Sequence, residues 1–373
     1  MDEFLKYPAI LFLLLMVACN QGPSEKASVD TVSDDTLVVL HNDTVKLSVS
    51  LQGGAFVEFQ HKNNPVNPFN GVTVPGDYSK DKKDFFIRGQ FICLGRWGKP
   101  TNGESKLGMP FNGEPANNLW KLERLKKKRI LEMSCEAPLD GQFIYRTVEL
   151  SESSPLFKVT ETVTNELSVW HVNTMVQSLT LAPPFQSEKF VLNTNATYGF
   201  NQALAFHSLF KYEYTWPEAY SDTLQLATID LSHNTSVIRY TSSHIFSDTV
   251  GWITAASPEN KLMLGYIWKT KDYPWLWVKN DVDGRDMWVK SFGFSTTGMG
   301  ADFKPEETLS AIFRGVTNAE VVDAKDKVTK SYYCFLIKIP ANYEKTLKVM
   351  FNKQGLSISI LTSWGVRRYK LEI

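Results

Sequence analysis

Alternation of apolar and polar residues dominates the chain after residue 36. The clearest case is 157–165, where β-branched and aromatic residues alternate with polar or charged ones over the whole run. A period of two is typical of a half-buried strand. Similar apolar segments predict further strands at 37–40, 45–51, 55–59, 130–135, 143–150, 156–165, 169–181, 189–192, 224–230, 236–240, 249–255, 261–269, 286–294, 308–315, 332–339, 345–351, 356–361 and 365–373.

Helical periodicity is scarce by comparison. One segment, 318–330, is a candidate helix, with Thr317 or Asn318 as its N-cap. Many short strands separated by Asn, Gly and Pro turns are typical of an all-β sandwich or barrel. The composition does not change after residue 36, so we expect a single domain over 37–373.

The stretch 88–120 departs from the alternation. It combines glycines and prolines with arginines, amides, a glutamate and tryptophans. Glycine and proline weaken strand pairing, and loops that carry polar and aromatic groups are common places for binding. We therefore predict that this stretch forms the floor of a ligand site.

The N-terminal segment has the organisation of a targeting signal. Lys6 precedes an apolar run of about ten residues (8–17), which is too short to span a bilayer as a helix. Ala18 and Cys19 follow, and a small residue before a cysteine at this place resembles the lipobox of bacterial lipoproteins. The resemblance implies that residues 1–19 are a lipoprotein signal peptide and that Cys19 is lipidated. An ordinary secretory signal with a chance cysteine is the alternative.

The segment 20–36 is polar and has too little apolar mass to pack. We expect a flexible tether there. A lipid anchor and a tether would hold a folded domain at a membrane surface without spanning it. The expected location is the bacterial cell envelope, on the periplasmic side or at the outer membrane.

Composition excludes several classes of function. Lys+Arg and Asp+Glu are equal at 40 each, and a nucleic-acid-binding protein would normally show a basic excess. Cys93, Cys135 and Cys334 form no CxxC pair, and the six histidines form no metal-binding motif. We therefore expect no nucleic acid, metal or cofactor, and at most one disulfide, with three buried thiols as the simpler interpretation.

Four segments carry a family resemblance by their order and spacing: 52–69, 88–120, 177–185 and 266–298. They include the Gly-Gly pair after an early strand, Met-Pro-Phe-Asn-Gly-Glu, Ala-Pro-Pro-Phe and Phe-Gly-Phe-Ser-Thr-Thr-Gly. From about residue 37 to its end the chain resembles the galactose mutarotase-like group, the aldose 1-epimerases and their relatives. The resemblance implies a large antiparallel β-supersandwich whose concave face holds a sugar.

Epimerases of that group interconvert the anomers of a free sugar. The reaction needs a base at the anomeric hydroxyl and an acid at the ring oxygen. The family uses a glutamate and a histidine, assisted by a second histidine. Aligned by motif, the first histidine falls on Asn112, the other on Ser178 and the glutamate on Gly293. None of these titrates near neutral pH, so the resemblance implies that ordinary epimerase activity is lost.

Polar and aromatic side chains near these positions are suited to holding a saccharide. The candidate ligand-binding residues are Arg88, Gln90, Arg96, Trp97, Asn112, Glu114, Gln177 and Trp275, with Trp277 and Trp288 as further flat faces. Core packing is the alternative for each tryptophan. Ion pairs to Glu114 or Asp84 are the alternative for the two arginines.

Three functions follow from this sequence. The first is a lipid-anchored carbohydrate-binding protein without standard aldose 1-epimerase activity. The second is an active sugar epimerase in which Glu114 is a displaced catalytic carboxylate, or a carbohydrate-active enzyme resembling polysaccharide lyases, with His171 and Tyr198 as participants. The third is an envelope interaction module that binds no sugar. Convergence of the candidate residues on one open concavity would favour binding, and burial in pairs would favour the third.

Overall fold

The computed structural model describes residues 36–69, 72–74, 85–87, 89–181, 183–205, 210, 212–222, 228–233, 238–282, 288–300 and 309–373. The predicted signal segment with Cys19, residues 20–35 of the predicted tether, Asp84 and Arg88 lie outside these ranges. No helix within the described ranges is long and apolar enough to cross a bilayer.

A ten-stranded antiparallel sheet forms the first layer. Its spatial order is β1 (Leu37–His41), β2 (Val45–Ser50), β3 (Ala55–His61), β6 (Gln90–Leu94), β12 (Met175–Leu181), β22 (Trp288–Ser295), β21 (Trp275–Val282), β18 (Tyr240–Phe246), β14 (Ala196–Asn201) and β15 (Glu213–Thr215).

An eight-stranded antiparallel sheet forms the second layer. Its order is β13 (Val191–Thr194), β19 (Val250–Ser257), β20 (Leu262–Lys269), β26 (Lys327–Lys338), β10 (Leu156–Asn165), β9 (Gln142–Leu150), β8 (Ile130–Ala137) and β7 (Lys121–Lys126).

Smaller elements complete the fold. A three-stranded meander contains β27 (Tyr343–Asn352), β28 (Gly355–Thr362) and β29 (Gly365–Glu372). Two-stranded sheets pair β4 (Val72–Val74) with β5 (Phe85–Ile87), β11 (His171–Val172) with β25 (Val321–Val322), β16 (Glu218–Tyr220) with β17 (Thr228–Asp230) and β23 (Ile312–Phe313) with β24 (Val316–Thr317). The short helices are α1 (Asn102–Lys106) and α2 (Gln202–Ala205).

Side-chain alternation places the main core between the two large sheets. On β6, Ile92 and Leu94 join the large cluster that both sheets share, whereas Phe91 and Cys93 belong to a separate cluster on the other side. Successive side chains of a strand point to opposite faces, so the ten-stranded sheet has an inner and an outer face. The outer face is covered by a smaller cluster.

The meander packs on the far side of the eight-stranded sheet. Val349, Ile358 and Leu371 of the meander share one buried cluster with Met263 and Phe335 of that sheet. The molecule therefore has a third layer, whose opposite surface remains uncovered by the described residues.

The all-β prediction is confirmed, and most strands lie where the alternation places them. The predicted segment 156–165 coincides with β10, whereas 169–181 divides into β11 and β12. Cys93, Cys135 and Cys334 are buried free thiols, as the simpler interpretation expected.

Two local predictions are wrong. The segment 318–330 is not helical: it contains β25 and the start of β26, because pairing of β26 with β10 and β20 outweighs local helix preference. The start of the stretch 88–120 is not a loop, because Gln90–Leu94 is β6, a central strand. Its flanking Gly89 has φ of 50°, and a Cβ there would lie 2.0 Å from the Phe56 carbonyl oxygen.

Candidate functional site

Residues 95–118 form the loop that leaves β6, here called the β6 loop. Gly95 begins it with φ of 74°, and a Cβ at this position would lie 2.0 Å from the Asp140 carboxylate. Glycine is therefore required for the turn at Asp140 to approach the end of β6. Within the loop, Thr101 and Glu104 form a capping box at the start of α1.

Arg96 pairs with Glu104 and not with Glu114, one of the two carboxylates that the sequence analysis offered. Its guanidinium forms an ion pair with the Glu104 carboxylate, and its side chain is largely buried. The hydrogen bonds from Thr101 and the charge of Arg96 hold the pKa of Glu104 below its usual value, against the opposing effect of burial. The pair fixes α1 against the end of β6.

Asn112 closes the β6 loop. Its side-chain oxygen accepts a hydrogen bond from the backbone N–H of Gly98 at 2.8 Å, and its backbone N–H donates to the Gly98 carbonyl at 3.0 Å. Its φ is 65°, a left-handed conformation that asparagine adopts more readily than most residues. The position that resembles a catalytic histidine is therefore occupied by a residue that shapes the turn.

Glu114 and His171 both contact Asp140. The Glu114 carboxylate accepts a hydrogen bond from the Leu139 amide at 2.9 Å and another from the Asp140 amide. Burial raises the pKa of Glu114, and the negative charge of Asp140 raises it further. The His171 Nε2 atom lies 3.2 Å from Asp140 Oδ2, and this hydrogen bond raises the pKa of His171.

These three titratable groups make a polar cluster beside the β6 loop. Within the described ranges, no group of three or more His, Cys, Asp or Glu side chains is arranged to hold a metal ion. The cluster combines a carboxyl group of raised pKa with a carboxylate–histidine pair. Groups with shifted pKa values are common at catalytic sites and also occur in structural ion pairs.

Trp97 extends from the β6 loop over the outer face of the ten-stranded sheet. Its ring centroid lies 5.4 Å from that of Trp277, with the planes tilted by 42°. Phe91, Cys93 and Val176 form the floor beneath the pair. Trp97 is half-buried, and the Trp277 indole nitrogen has no hydrogen-bond partner in the part of the chain that the structure describes.

Ser178 and Gly293 lie next to this tryptophan pair. The register of β12 against β22 joins Val176 to Ser295 and Leu179 to Phe292, which places Ser178 opposite Gly293. Gly293 also pairs with Trp277 of β21. A Cβ at Gly293 would lie 2.7 Å from the Trp277 Nε1 atom, so the indole fills the space that a side chain at 293 would need.

Gln90 and Gln177 belong to the inner face instead. Gln90 donates to the Tyr332 hydroxyl at 2.8 Å and accepts from Tyr266 at 2.9 Å. Gln177 donates to Glu161 at 2.6 Å and accepts from Tyr332 at 3.3 Å. All of these side chains are buried between the sheets. The two amides therefore link the layers of the core and do not face the tryptophan pair.

Trp275 lies in a third environment. It is fully buried among aromatic residues that include Phe200 and Phe313, and its indole N–H donates to the Thr317 carbonyl at 3.0 Å. Core packing, the sequence alternative for the tryptophans, is what the structure shows for Trp275. The side chain of Trp288 is outside the described part.

The predicted ligand residues are thus brought together only in part. Arg96, Trp97, Asn112 and Glu114 share the β6 loop, whereas Gln90, Gln177 and Trp275 are buried elsewhere. Sequence reasoning missed Asp140 as the residue that connects Glu114 with His171. The Asp-Gly turn after β8 was the available signal, since Asp and Gly together mark a tight turn between strands.

No protein-family model and no curated protein sequence matches the chain. Solved structures do match it over most of their length. A galactose mutarotase-related enzyme from Lactobacillus acidophilus has a TM-score of 0.55 and 10% identity, covering 82% of this chain and 98% of that one. A galactose mutarotase-like protein from Lactobacillus casei has a TM-score of 0.54 and 13% identity, covering 81% and 100%.

A protein from Escherichia coli K12, described as a candidate aldose 1-epimerase, has a TM-score of 0.52 and 11% identity, covering 82% of this chain and 99% of that one. Identities this low carry information about the fold alone. The structural matches and the two large antiparallel sheets together show that this chain has the galactose mutarotase-like fold.

Proposed function

We propose that the protein is a lipid-anchored carbohydrate-binding protein of the bacterial cell envelope that lacks standard aldose 1-epimerase activity. The observation that carries the proposal is the Trp277 indole packed beside the expected catalytic position. Gly293 stands where the resemblance implies the base, and the Trp277 indole occupies the space above it. A buried indole there takes the space of a catalytic carboxylate and cannot act as a base.

The other two expected positions agree with a binding role. Ser178, which faces Gly293, and Asn112 can donate and accept hydrogen bonds but do not exchange protons near neutral pH. Asn112 is in addition committed to the Gly98 backbone. Anomer exchange needs both a base and an acid within hydrogen-bond reach of the sugar, and none of the three positions provides one.

Trp97 is the best candidate for direct contact with a sugar. It is half-buried, lies on the outer face beside Trp277 and is attached to a loop that the Arg96–Glu104 ion pair holds in place. An aromatic ring offers a flat apolar surface for the C–H groups of a sugar at little conformational cost. The names of the structural neighbours, galactose mutarotase-related and mutarotase-like, support a saccharide as the proposed ligand class.

Calorimetric titration with a broad panel of mono- and oligosaccharides tests the binding. We expect Trp97→Ala to weaken the affinity by at least about tenfold, or ~1.4 kcal/mol. Trp364→Ala is the matched control, because Trp364 is exposed on a hairpin of the C-terminal meander and should leave the affinity unchanged. Absence of binding across the panel would reject the proposal.

Lipidation is tested separately from sugar binding. Metabolic labelling with a fatty acid should mark the wild-type chain and not the Cys19→Ala variant, since the cysteine thiol is the acceptor. Equal labelling of both chains would reject an anchor at this residue. Neither result bears on carbohydrate binding, which the titration tests.

A second candidate function is an active sugar epimerase. The observation that favours it is the cluster in which Glu114 and His171 both contact Asp140. Glu114, with its raised pKa, would be the base, and His171 the acid. Polarimetry or NMR exchange on glucose and galactose decides: turnover that disappears in both Glu114→Gln and His171→Asn would replace the first proposal with this one.

A further inference from the structure

The C-terminal meander (residues 343–372) differs from the rest of the chain in its charge. It contains six basic and two acidic residues, a side-chain charge of +4, while the full chain is balanced at zero. One face of the meander is committed to the core through Val349, Ile358 and Leu371. The opposite face of the meander, which is not packed on the core, is therefore the one that can present this positive charge.

The cross-strand register shows how the cations are arranged. Lys348 of β27 and Arg368 of β29 flank Ser359 of β28, so all three lie in one row across the open face. The next row joins Met350, Ser357 and Lys370 in the same way, and the row on the other side joins Lys345, Leu361 and Val366. Four cations thus share one surface with apolar and small hydroxyl side chains.

These cations have no anionic partners inside the described protein. Lys345, Lys348, Arg368 and Lys370 are all exposed, and none forms an ion pair with another described side chain. Among the acidic residues of the meander, Glu344 adjoins Lys345 in sequence, and Glu372 lies on the open face two residues beyond Lys370, without a described ion pair to it. Arg368 and Lys370 lie two residues apart on the same face of β29, and Lys348 lies in the row of Arg368 with Ser359 between them. Like charges gathered on one face repel each other, so this face gains most from an external anionic surface.

Apolar side chains stand among and beside the cations. Trp364, at the tip of the hairpin between β28 and β29, is 81% exposed, and the neighbouring Val366 is 54% exposed. Leu347 and Met350 of β27 are also exposed. Tryptophan and lysine or arginine side chains together are typical of the boundary between lipid headgroups and acyl chains.

We infer that the open face of the C-terminal meander docks on an anionic phospholipid surface. The four cations match the headgroup charge, and Trp364 and Val366 enter the boundary layer. A soluble polyanion would match the charge equally well but would leave these apolar side chains in water. The contact is additional to the proposed lipid anchor, and a basic surface together with one lipid chain binds a bilayer far more firmly than either alone.

Sedimentation with lipid vesicles tests this inference. The full chain carries Cys19→Ala in every sample, so that acylation contributes to none of them. Binding to phosphatidylcholine vesicles is measured with and without phosphatidylglycerol. We expect a preference for the anionic vesicles that weakens with salt, since exposed charges are screened. Lys348→Glu with Arg368→Glu should reduce it by at least about 30-fold, because each basic residue near such a surface contributes about a factor of five.

The matched control changes charge elsewhere. Lys269→Glu with Lys271→Glu alters two exposed lysines at the β20–β21 turn by the same amount and should keep the preference. Trp364→Ser should reduce binding without changing the charge. Equal loss in both double variants, or no preference for anionic vesicles, would overturn the inference. Meander-dependent binding to polygalacturonate that is indifferent to Trp364→Ser would assign the face to an anionic glycan and overturn it too.

Discussion

Side chains on the inner and outer faces of the ten-stranded sheet alternate along the same strands, yet they are partnered in different ways. On the inner face, Gln90 and Gln177 are hydrogen-bonded through both atoms of their amide groups. On the outer face, Ser178 lies one residue away from Gln177 beside the Trp97–Trp277 pair, and the Trp277 indole nitrogen lacks a described partner. The two inner amides therefore stabilise the fold, whereas the Trp277 nitrogen is an unpaired donor on the outer face.

The two faces differ in hydrogen bonding although the groups compared on both are buried. A polar group enclosed between two sheets must find a protein partner, because an unpaired one costs about 1–3 kcal/mol. The inner amides accordingly join Glu161, Tyr273 and Tyr332 in one network. On the outer face, the Trp277 indole nitrogen is also buried, yet it has no partner among the described residues. A polar residue type in a strand therefore does not by itself indicate a binding site.

The largest effect should come from breaking the inner network at its ion pair. Arg146 and Glu161 are fully buried, 2.8 Å apart. Glu161→Ala leaves the guanidinium buried without its counter-charge, which should lower the free energy of unfolding by about 3–5 kcal/mol. Chemical denaturation measures it. Glu136→Ala, on an exposed side chain, is the control, and a similar small change in both variants would show that the inner network does not stabilise the fold.

A second prediction concerns His244, which lies on β18. Burial lowers the pKa of His244 to about 4. Its Nε2 atom lies 2.7 Å from the Ser242 hydroxyl. The folded pKa lies below the unfolded value of 6.5, so the neutral form stabilises the fold. This contribution is present above pH 6.5 and falls by roughly 3 kcal/mol as the pH drops to about 4.

The His244→Gln variant separates this contribution from that of other groups. Glutamine can still hydrogen-bond Ser242 but does not titrate in this range. The free energy of unfolding of the variant should decline less steeply than that of the wild type between pH 6.5 and 4. Parallel curves for the two proteins would contradict a buried neutral histidine.

A third, intermediate effect tests whether the outer face is filled at Gly293. A Cβ there would lie 1.7 Å from the Gln177 carbonyl oxygen and 2.7 Å from the Trp277 indole nitrogen. Gly293→Ala should therefore cost about 1–3 kcal/mol through overpacking. Gly103→Ala in α1 meets nothing closer than 4.0 Å and should be neutral or slightly stabilising. If the two variants have the same free energy of unfolding, the space above Gly293 is open.

The sequence predicts the strands well because the period of two reports burial directly. The strand Gln90–Leu94 was not predicted because the glycines beside it suggested a loop. In the structure, Gly89 instead permits a close backbone approach to Phe56. The candidate site is less predictable from the sequence than the strands are. Residue type suggested Gln90, Gln177 and Trp275 as ligands, but only the sheet register shows that the two amides face the second layer. The contact of Asp140 with His171 depends on chain segments 31 residues apart.

The smallest effect distinguishes a structural from a catalytic role for the polar cluster beside the β6 loop. The hydrogen bond that His171 donates to the Asp140 carboxylate raises the pKa of His171, so Asp140→Asn should bring this pKa back toward 6.5. A raised folded pKa stabilises the fold fully below pH 6.5, and this contribution is lost as the pH rises through the folded pKa. Asp140→Asn should therefore destabilise the protein more at pH 5 than at pH 8, by less than about 1 kcal/mol for a partly exposed pair.

An NMR titration of the His171 ring, assigned with His171→Asn, measures the shift directly. Identical titration in the wild type and Asp140→Asn would remove the electrostatic link on which the epimerase alternative depends, and would leave the outer-face tryptophans as the stronger basis for function.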